Sequence, residues 1–108
     1  MSEVLVLRLE AHSDERNHHR RYEVSVDRDL LEHWVVTIRY GRVGAPLREI
    51  RVCRPDVEQA RVVIEERLKR RLSAPKRIGC RYTVRGFNVA AGVLLSDWVS
   101  PTIMAHLT

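Results

Sequence analysis

Hydrophobic and polar residues alternate along the first half of the chain. From Arg20 onward Tyr22, Val24 and Val26 fall on one side, and Glu23, Ser25 and Asp27 on the other. That period of two marks a half-buried strand. Trp34, Val36, Ile38 and Tyr40 share a face of the next strand, with Val35, Thr37 and Arg39 opposite; β-branched and aromatic side chains suit a pleated surface. Residues 4–9 predict a first strand and residues 48–53 a fourth, with Ile50 and Val52 on one side. Residues 10–19 are polar throughout and predict a loop. Asp27-Arg28-Asp29 predicts a turn after which Leu30 and Leu31 pack, and the glycines and proline of residues 41–46 predict another break.

The period changes after Pro55. Asp56 can cap a helix, with Gln59 three residues on answering it. Val57, Ala60, Ile64 and Leu68, flanked by Val63 and Leu72, form one apolar stripe at helical spacing. Asp56 and Glu58 lead this helix and Arg67, Lys69, Arg70 and Arg71 end it, which suits the macrodipole. Glu65–Lys69 and Glu66–Arg70 are i,i+4 pairs of favourable orientation. Ser73-Ala74-Pro75 predicts its stop. Cys80, Tyr82 and Val84 predict a fifth strand, with Arg81, Thr83 and Arg85 on its other face. Strands joined by short links, then a helix, then a strand imply an α+β fold: an antiparallel sheet with one main helix packed on one face.

Residues 86–108 carry Phe87, Val93, Leu94, Leu95, Trp98, Val99, Ile103, Met104 and Leu107, too many apolar side chains for a solvated tail. Ser100-Pro101 reads as a helix cap and first turn. The expected organisation is a domain over residues 1–85 and an apolar extension over 86–108. The extension packs on the open face of the sheet or supplies a homodimer or protein-partner contact; packing within the domain is favoured.

Composition adds limits. The 108 residues are 44% hydrophobic and 31% charged, which excludes a wholly disordered chain. The longest apolar stretch, residues 89–95, is far short of the roughly twenty needed to span a bilayer. The first residues, Met1-Ser2-Glu3-Val4, show no secretory signal. Cys53 and Cys80 form no CxxC pair and are too few for a disulfide scaffold, so a reduced, cytoplasmic protein is expected. The net charge of +5 is unevenly spread. Residues 1–66 hold 11 bases and 13 acids, whereas residues 67–108 hold 8 bases and 1 acid. No acid interrupts the stretch from Arg67 to Arg85, a pattern that suits a polyanion-binding surface.

The segment over residues 34–44 ends in Tyr40-Gly41-Arg42, followed by Val43 and Gly44. It resembles the signature of the WGR domain family, with Tyr40 in the place of the tryptophan. Asn17 followed by Arg20-Arg21-Tyr22, Ala60 within the helix, and Lys76-Arg77-Ile78-Gly79 are similar to further features of that family. The resemblance covers roughly residues 5–85. It implies an antiparallel sheet carrying one helix. It also implies a module that contacts DNA near a strand break, as in DNA-damage-responsive poly(ADP-ribose) polymerases, with the triplet's aromatic residue stacking on a terminal nucleotide and nearby bases on the backbone.

Each candidate residue has a plainer reading beside the functional one. Tyr40 is a stacking platform or, by its shared face with Val36 and Ile38, a core aromatic. Arg42 is a loop arginine open to a phosphate or simply solvated. Lys69, Arg70 and Arg71 offset a helix dipole, whereas Lys76, Arg77, Arg81 and Arg85 lie beyond that explanation and point to phosphate contacts. His12, His18 and His19, near Asp14 and Glu15, fit no standard zinc spacing and read as solvated loop residues. No nucleophile elbow, paired carboxylate or phosphate loop is recognisable, so neither an enzyme nor a cofactor is inferred. The expected function is binding of the backbone of duplex DNA through Arg42, Lys69, Arg70, Lys76, Arg77 and Arg81, with Tyr40 stacking. A protein–protein module without nucleic-acid binding is the alternative. The first reading requires that the late cations gather on one surface.

Overall fold

The computed structural model describes residues 2–108 and contains a five-stranded antiparallel sheet with helices on one side. Strands β1 (Ser2–Ser13), β2 (His18–Arg28), β3 (Trp34–Arg42) and β4 (Arg48–Arg54) follow one another as a meander. The chain then forms helices α1 (Val57–Arg71) and α2 (Ala74–Ile78) and returns as β5 (Thr83–Val89) beside β1. The resulting order is β4-β3-β2-β1-β5. A 3₁₀ turn at Leu95–Asp97 and helix α3 (Pro101–Leu107) complete the chain.

The alternation read from β2 is realised; in β3 Val35 and Thr37, on the other face, are buried as well as Val36 and Ile38. Tyr22, Val24, Val26, Val36 and Ile38 are buried together with Leu5, Leu7, Leu9 and Ala11 of β1. Against this face α1 sets Ala60, Ile64 and Leu68. Its first turn is fixed by Asp56, whose Oδ1 accepts from the Gln59 backbone N–H at 2.9 Å, while Gln59 Nε2 donates to Asp56 Oδ2 at 2.7 Å. A cap of this kind contributes about 1 kcal/mol.

The structure corrects several expectations. Residues 10–19 are not a loop: β1 runs on to Ser13, β2 starts at His18, and only residues 14–17 turn, with Asn17 at φ 53. Polar side chains on both faces hid this ladder from a pattern reading, because His12 pairs with His19 and Ala11 with Arg20. Leu30 and Leu31 do not pack; they are 92% and 77% exposed at the tip of the β2–β3 turn. Asp29 holds that tip out by accepting from the backbone N–H groups of Leu31 and His33, both at 2.9 Å. Pro75 does not merely stop α1. It enters α2, whose end needs the left-handed Gly79 at φ +78. The fifth strand begins at Thr83, after Cys80 and Tyr82.

The apolar tail joins the main core, on the helical side of the sheet rather than its open side. Trp98, Val99, Ile103 and Leu107 are buried with the β1 leucines and α1. The Trp98 ring lies 5.5 Å from that of Trp34, and the Arg61 guanidinium of α1 sits 5.2 Å over it. Ser100 Oγ accepts from the Ile103 N–H at 3.2 Å and Pro101 opens α3, the start read from sequence. Among the described residues no helix is long and apolar enough to cross a membrane.

Two measurements check this packing. Trp98 is only 5% exposed, so Trp98→Ala should cost about 3–5 kcal/mol in urea unfolding; a loss below about 0.5 kcal/mol, the size of a surface substitution, would mean the tail merely decorates the core. The N–H groups of His33 and then Leu31 hold the Asp29 carboxyl below the usual aspartate range, against a smaller opposing effect of desolvation. A lowered folded value gives stability that is present above the unfolded value and lost as pH falls through the folded one. Asp29→Asn should therefore flatten the acid limb of a pH–melting-temperature curve relative to the parent chain.

Candidate nucleic-acid interface

At the C-terminal end of α1 the sheet, α2 and α3 leave three adjoining hollows that share Arg71 as a common wall. The central one, about 310 Å³, is lined by Arg20, Tyr40, Gly41, Arg71, Arg77, Ile78 and Tyr82. A second, about 200 Å³, lies between Tyr22, Ile38, Tyr40, Ile50, Arg67 and Arg71. A third, about 240 Å³, has Arg81, Tyr82 and His106 around Arg71. Five arginines and three tyrosines thus wall the hollows, and no carboxylate does.

Local geometry explains the convergence. Arg20 occupies the same β2 face as Tyr22 and Val24 and stands at its end, where the apolar stripe stops. Arg67 and Arg71 follow Ile64 at helical spacing of three and seven, so α1 turns them toward the sheet. Arg77 is held by two bonds to the end of α1: Nε donates to Ser73 Oγ and Nη2 to the Arg70 carbonyl, both at 2.9 Å. Arg81 Nη2 donates to the Thr108 carbonyl at 3.1 Å.

The aromatic floor responds to burial and to these cations. The Arg71 guanidinium lies 4.5 Å over the Tyr22 ring. Burial pushes the Tyr22 phenol above its ordinary range, opposed by Arg71, Arg67 and Arg70. The Tyr82 phenol is raised for the same reason, opposed by Arg71, Arg20 and Arg77. Both tyrosines therefore stay neutral hydrogen-bond donors well into alkaline solution. The Tyr22 hydroxyl and Arg71 Nε are buried without a hydrogen-bond partner.

The sequence-predicted residues divide. Tyr40, half-buried, walls two hollows, and Arg77 and Arg81 wall one each. Lys69, Arg70 and Lys76 are exposed and line none of the three. Lys69 is paired with Glu65 at 3.2 Å, because i,i+4 neighbours share the outer face of α1. Arg42 is turned to the β1–β2 turn, donating from Nη1 to the Asn17 carbonyl and from Nη2 to Asn17 Oδ1, both at 2.9 Å. Arg85 approaches Glu10 at 3.9 Å on the other sheet face. Arg20, Arg67, Arg71 and Tyr82 were missed by sequence reasoning. The signal was available for three of them: an arginine at a position that the strand or helix period assigns to the buried face.

Cys53 is exposed and Cys80 half-buried, both as free thiols. No curated protein and no solved structure matches the chain. The family model of the WGR domain matches residues 6–73, from β1 through α1 and more than half of the chain, and leaves α2, β5 and α3 outside the match. On that match the chain belongs to the WGR domain family.

Proposed function

We propose that this chain is a nucleic-acid-binding module that grips the sugar–phosphate backbone of duplex DNA, with strand ends as its preferred place. The carrying observation is the acid-free concavity in which Arg20, Arg67, Arg71, Arg77 and Arg81 surround Tyr22, Tyr40 and Tyr82. WGR domains are a nucleic-acid-binding type of module, which supports the same reading. Guanidinium groups match phosphate oxygens in pairs of parallel hydrogen bonds. Tyrosine rings at the wall offer a flat apolar surface on which an unpaired base or a sugar can rest. Nothing in the concavity offers the Asn or Gln fork that reads adenine, so sequence preference should be weak.

A second reading is a protein-docking module. It is favoured by Leu30 and Leu31, two adjacent leucines held in solvent by the Asp29 turn. The two readings separate on salt: apolar docking is nearly indifferent to it, whereas phosphate binding is not.

Affinity for a nicked duplex, followed by anisotropy from 50 to 200 mM salt, should fall with a log–log slope of about 0.9 per phosphate neutralised. Arg20→Glu with Arg77→Glu should shrink that slope by about 1.8 and weaken binding on every sequence tested. Arg39→Glu with Arg51→Glu makes the same change in net charge on the opposite sheet face and should leave most of the affinity in place. Equal losses from the two pairs would mean that total charge, not this concavity, drives binding. Tyr40→Ala should weaken binding to a single-strand overhang by about 1–3 kcal/mol while Tyr40→Phe retains it, as base stacking requires. Indifference to both substitutions would leave Tyr40 as a core residue alone.

A further inference from the structure

The two edges of the sheet are not alike. The outer strands are β5 and β4. Strand β5 carries a bulge, because Arg8 pairs with Gly86 and Leu9 with Val84, which leaves Arg85 over. Helix α3 also packs beside it. A bulge twists an edge away from further pairing. Strand β4 has no such device. It follows β3 in unbroken register, from Arg48 opposite Tyr40 to Arg54 opposite Trp34. No proline, glycine or lysine stands within it. Among the described residues no strand pairs with its outer side. The backbone there is open to another chain as far as the Cys53 carbonyl, which accepts from Arg54 Nη1 at 2.9 Å.

Charge alone is left to guard this edge, and the order of the charges is informative. Glu49 and Arg51 are exposed on the open face of the sheet, whereas Ile50 and Val52 are half-buried on the helical face. The Glu49 carboxylate already stands between two arginines: Oε1 accepts from Arg39 Nε at 2.9 Å, and Oε2 lies 3.3 Å from Arg51 Nε. An edge that meets the same edge of a second copy does so about a two-fold axis. In an antiparallel pair that axis is normal to the sheet, so opposed residues share a face. Few registers are then open. Centred on Arg51, the pairing sets Arg51 on Arg51 and Arg48 on Arg54. Centred on Glu49, it sets carboxylate on carboxylate. Centred on Val52, it runs Glu49 against Pro55, which has no N–H to give. Centred on Ile50, it sets Glu49 opposite Arg51 twice on the open face and Ile50 opposite Ile50 on the helical face. Opposite charges and apolar pairs across a ladder stabilise it, and like charges directly opposed destabilise it. The run from Arg48 to Val52 is therefore complementary to itself.

We propose that this chain associates with a second copy of itself through β4, in an antiparallel pairing centred on Ile50 that joins the two sheets into one. The two-fold axis leaves both helical layers on the same side of the joined sheet. The shared strip is short, so the association is weak, reversible and dependent on concentration. It owes nothing to the nucleic-acid reading and is tested without nucleic acid.

Sedimentation of the full chain should give an average mass that rises from 12.6 kDa toward twice that value as the concentration climbs into the high micromolar range. Glu49→Arg alone and Arg51→Glu alone should each stay at the monomer mass, because each opposes like charges at both positions. An equal mixture of the two variants should associate, because each then meets the other with opposite charges at both positions. Melting curves check that both variants fold. A cross-link supplies an independent measurement. In a Cys53→Ser, Cys80→Ser background, Ile50→Cys should form an intermolecular disulfide on mild oxidation, since opposed Cα atoms in an antiparallel pair lie about 4.5–5.5 Å apart, within disulfide reach. Phe87→Cys, 48% exposed on the β5 edge, should not. A monomer mass for the parent chain at every concentration overturns the proposal. So does association that survives both single charge variants, or cross-linking through Phe87→Cys in place of Ile50→Cys. Each of these results leaves the DNA measurements above standing on their own.

Discussion

A five-stranded sheet is wider than a helix. Four inter-strand gaps of about 4.8 Å make a face about 19 Å across, and a helix with its side chains covers about 10–12 Å. One 15-residue helix over β3 and β4 therefore leaves the leucines of β1 exposed to water. Leu5, Leu7 and Leu9 are nevertheless buried, and burying each is worth about 1.5–3 kcal/mol. The tail supplies the missing cover with Trp98, Val99, Ile103 and Leu107. The concavity follows from the same constraint. It opens where the end of α1, the α2 turn and the last turn of α3 meet over the sheet without closing the gap.

Arginine rather than an aliphatic side chain lines that gap, and the core tolerates it through aromatic rings. Arg28 lies 4.5 Å over Trp34, Arg61 5.2 Å over Trp98 and Arg71 4.5 Å over Tyr22. Each of these three arginines has a buried Nε without a hydrogen-bond partner. An unsatisfied buried donor costs about 1–3 kcal/mol. A cation over a ring returns about 0.5–2 kcal/mol, and the methylene stem covers apolar surface besides. The three side chains thus close the edges of the core with their stems and rings while their guanidinium ends stay near solvent. Arg71 is the one that also faces the concavity, so the contact that seals Tyr22 presents a charge to a ligand.

The sequence was most legible where one period ran unbroken between one buried and one exposed face. Strands β2 and β4, helix α1 with its Asp56 cap, and the Ser100–Pro101 start of α3 were read in that way, and β3 was found by its β-branched and aromatic content although Val35 and Thr37 are buried on its second face. Legibility failed where pairing, not burial, decides structure. The His12–His19 ladder presents polar residues to water, so no period announced it. Leu30 and Leu31 carried a strong apolar signal that two hydrogen bonds accepted by Asp29 overrode. The candidate interface was half legible for a related reason. Charge clustering located the end of α1, but counting charges along the chain gave Lys69, Arg70 and Lys76 the same weight as Arg77. Helical phase distinguishes them, and it favours Arg67 and Arg71, the two that the dipole argument discounts most readily. Arg20 lies far away in sequence and enters only through the strand pairing.

The arginine of the family triplet illustrates how a motif residue can serve a site without touching it. Arg42 spends two donors on one residue, the carbonyl and side chain of Asn17. Asn17 is in the left-handed region, a conformation that asparagine tolerates better than most residues. Helix α2 docks on the same β1–β2 segment: His18 Nδ1 lies 2.8 Å from the Ile78 carbonyl, and the Arg16 side chain passes so close to Gly79 that a Cβ there would meet it at 2.5 Å. Arg20 begins two residues after His18, and Arg77 precedes Ile78. The turn braced by Arg42 therefore sets the positions of two arginines that line the central hollow. On the proposed DNA-binding reading, removing that brace would act through geometry, spreading Arg20 and Arg77, and the aromatic residue beside it, Tyr40, would keep its place because β2 and β4 hold it from both sides.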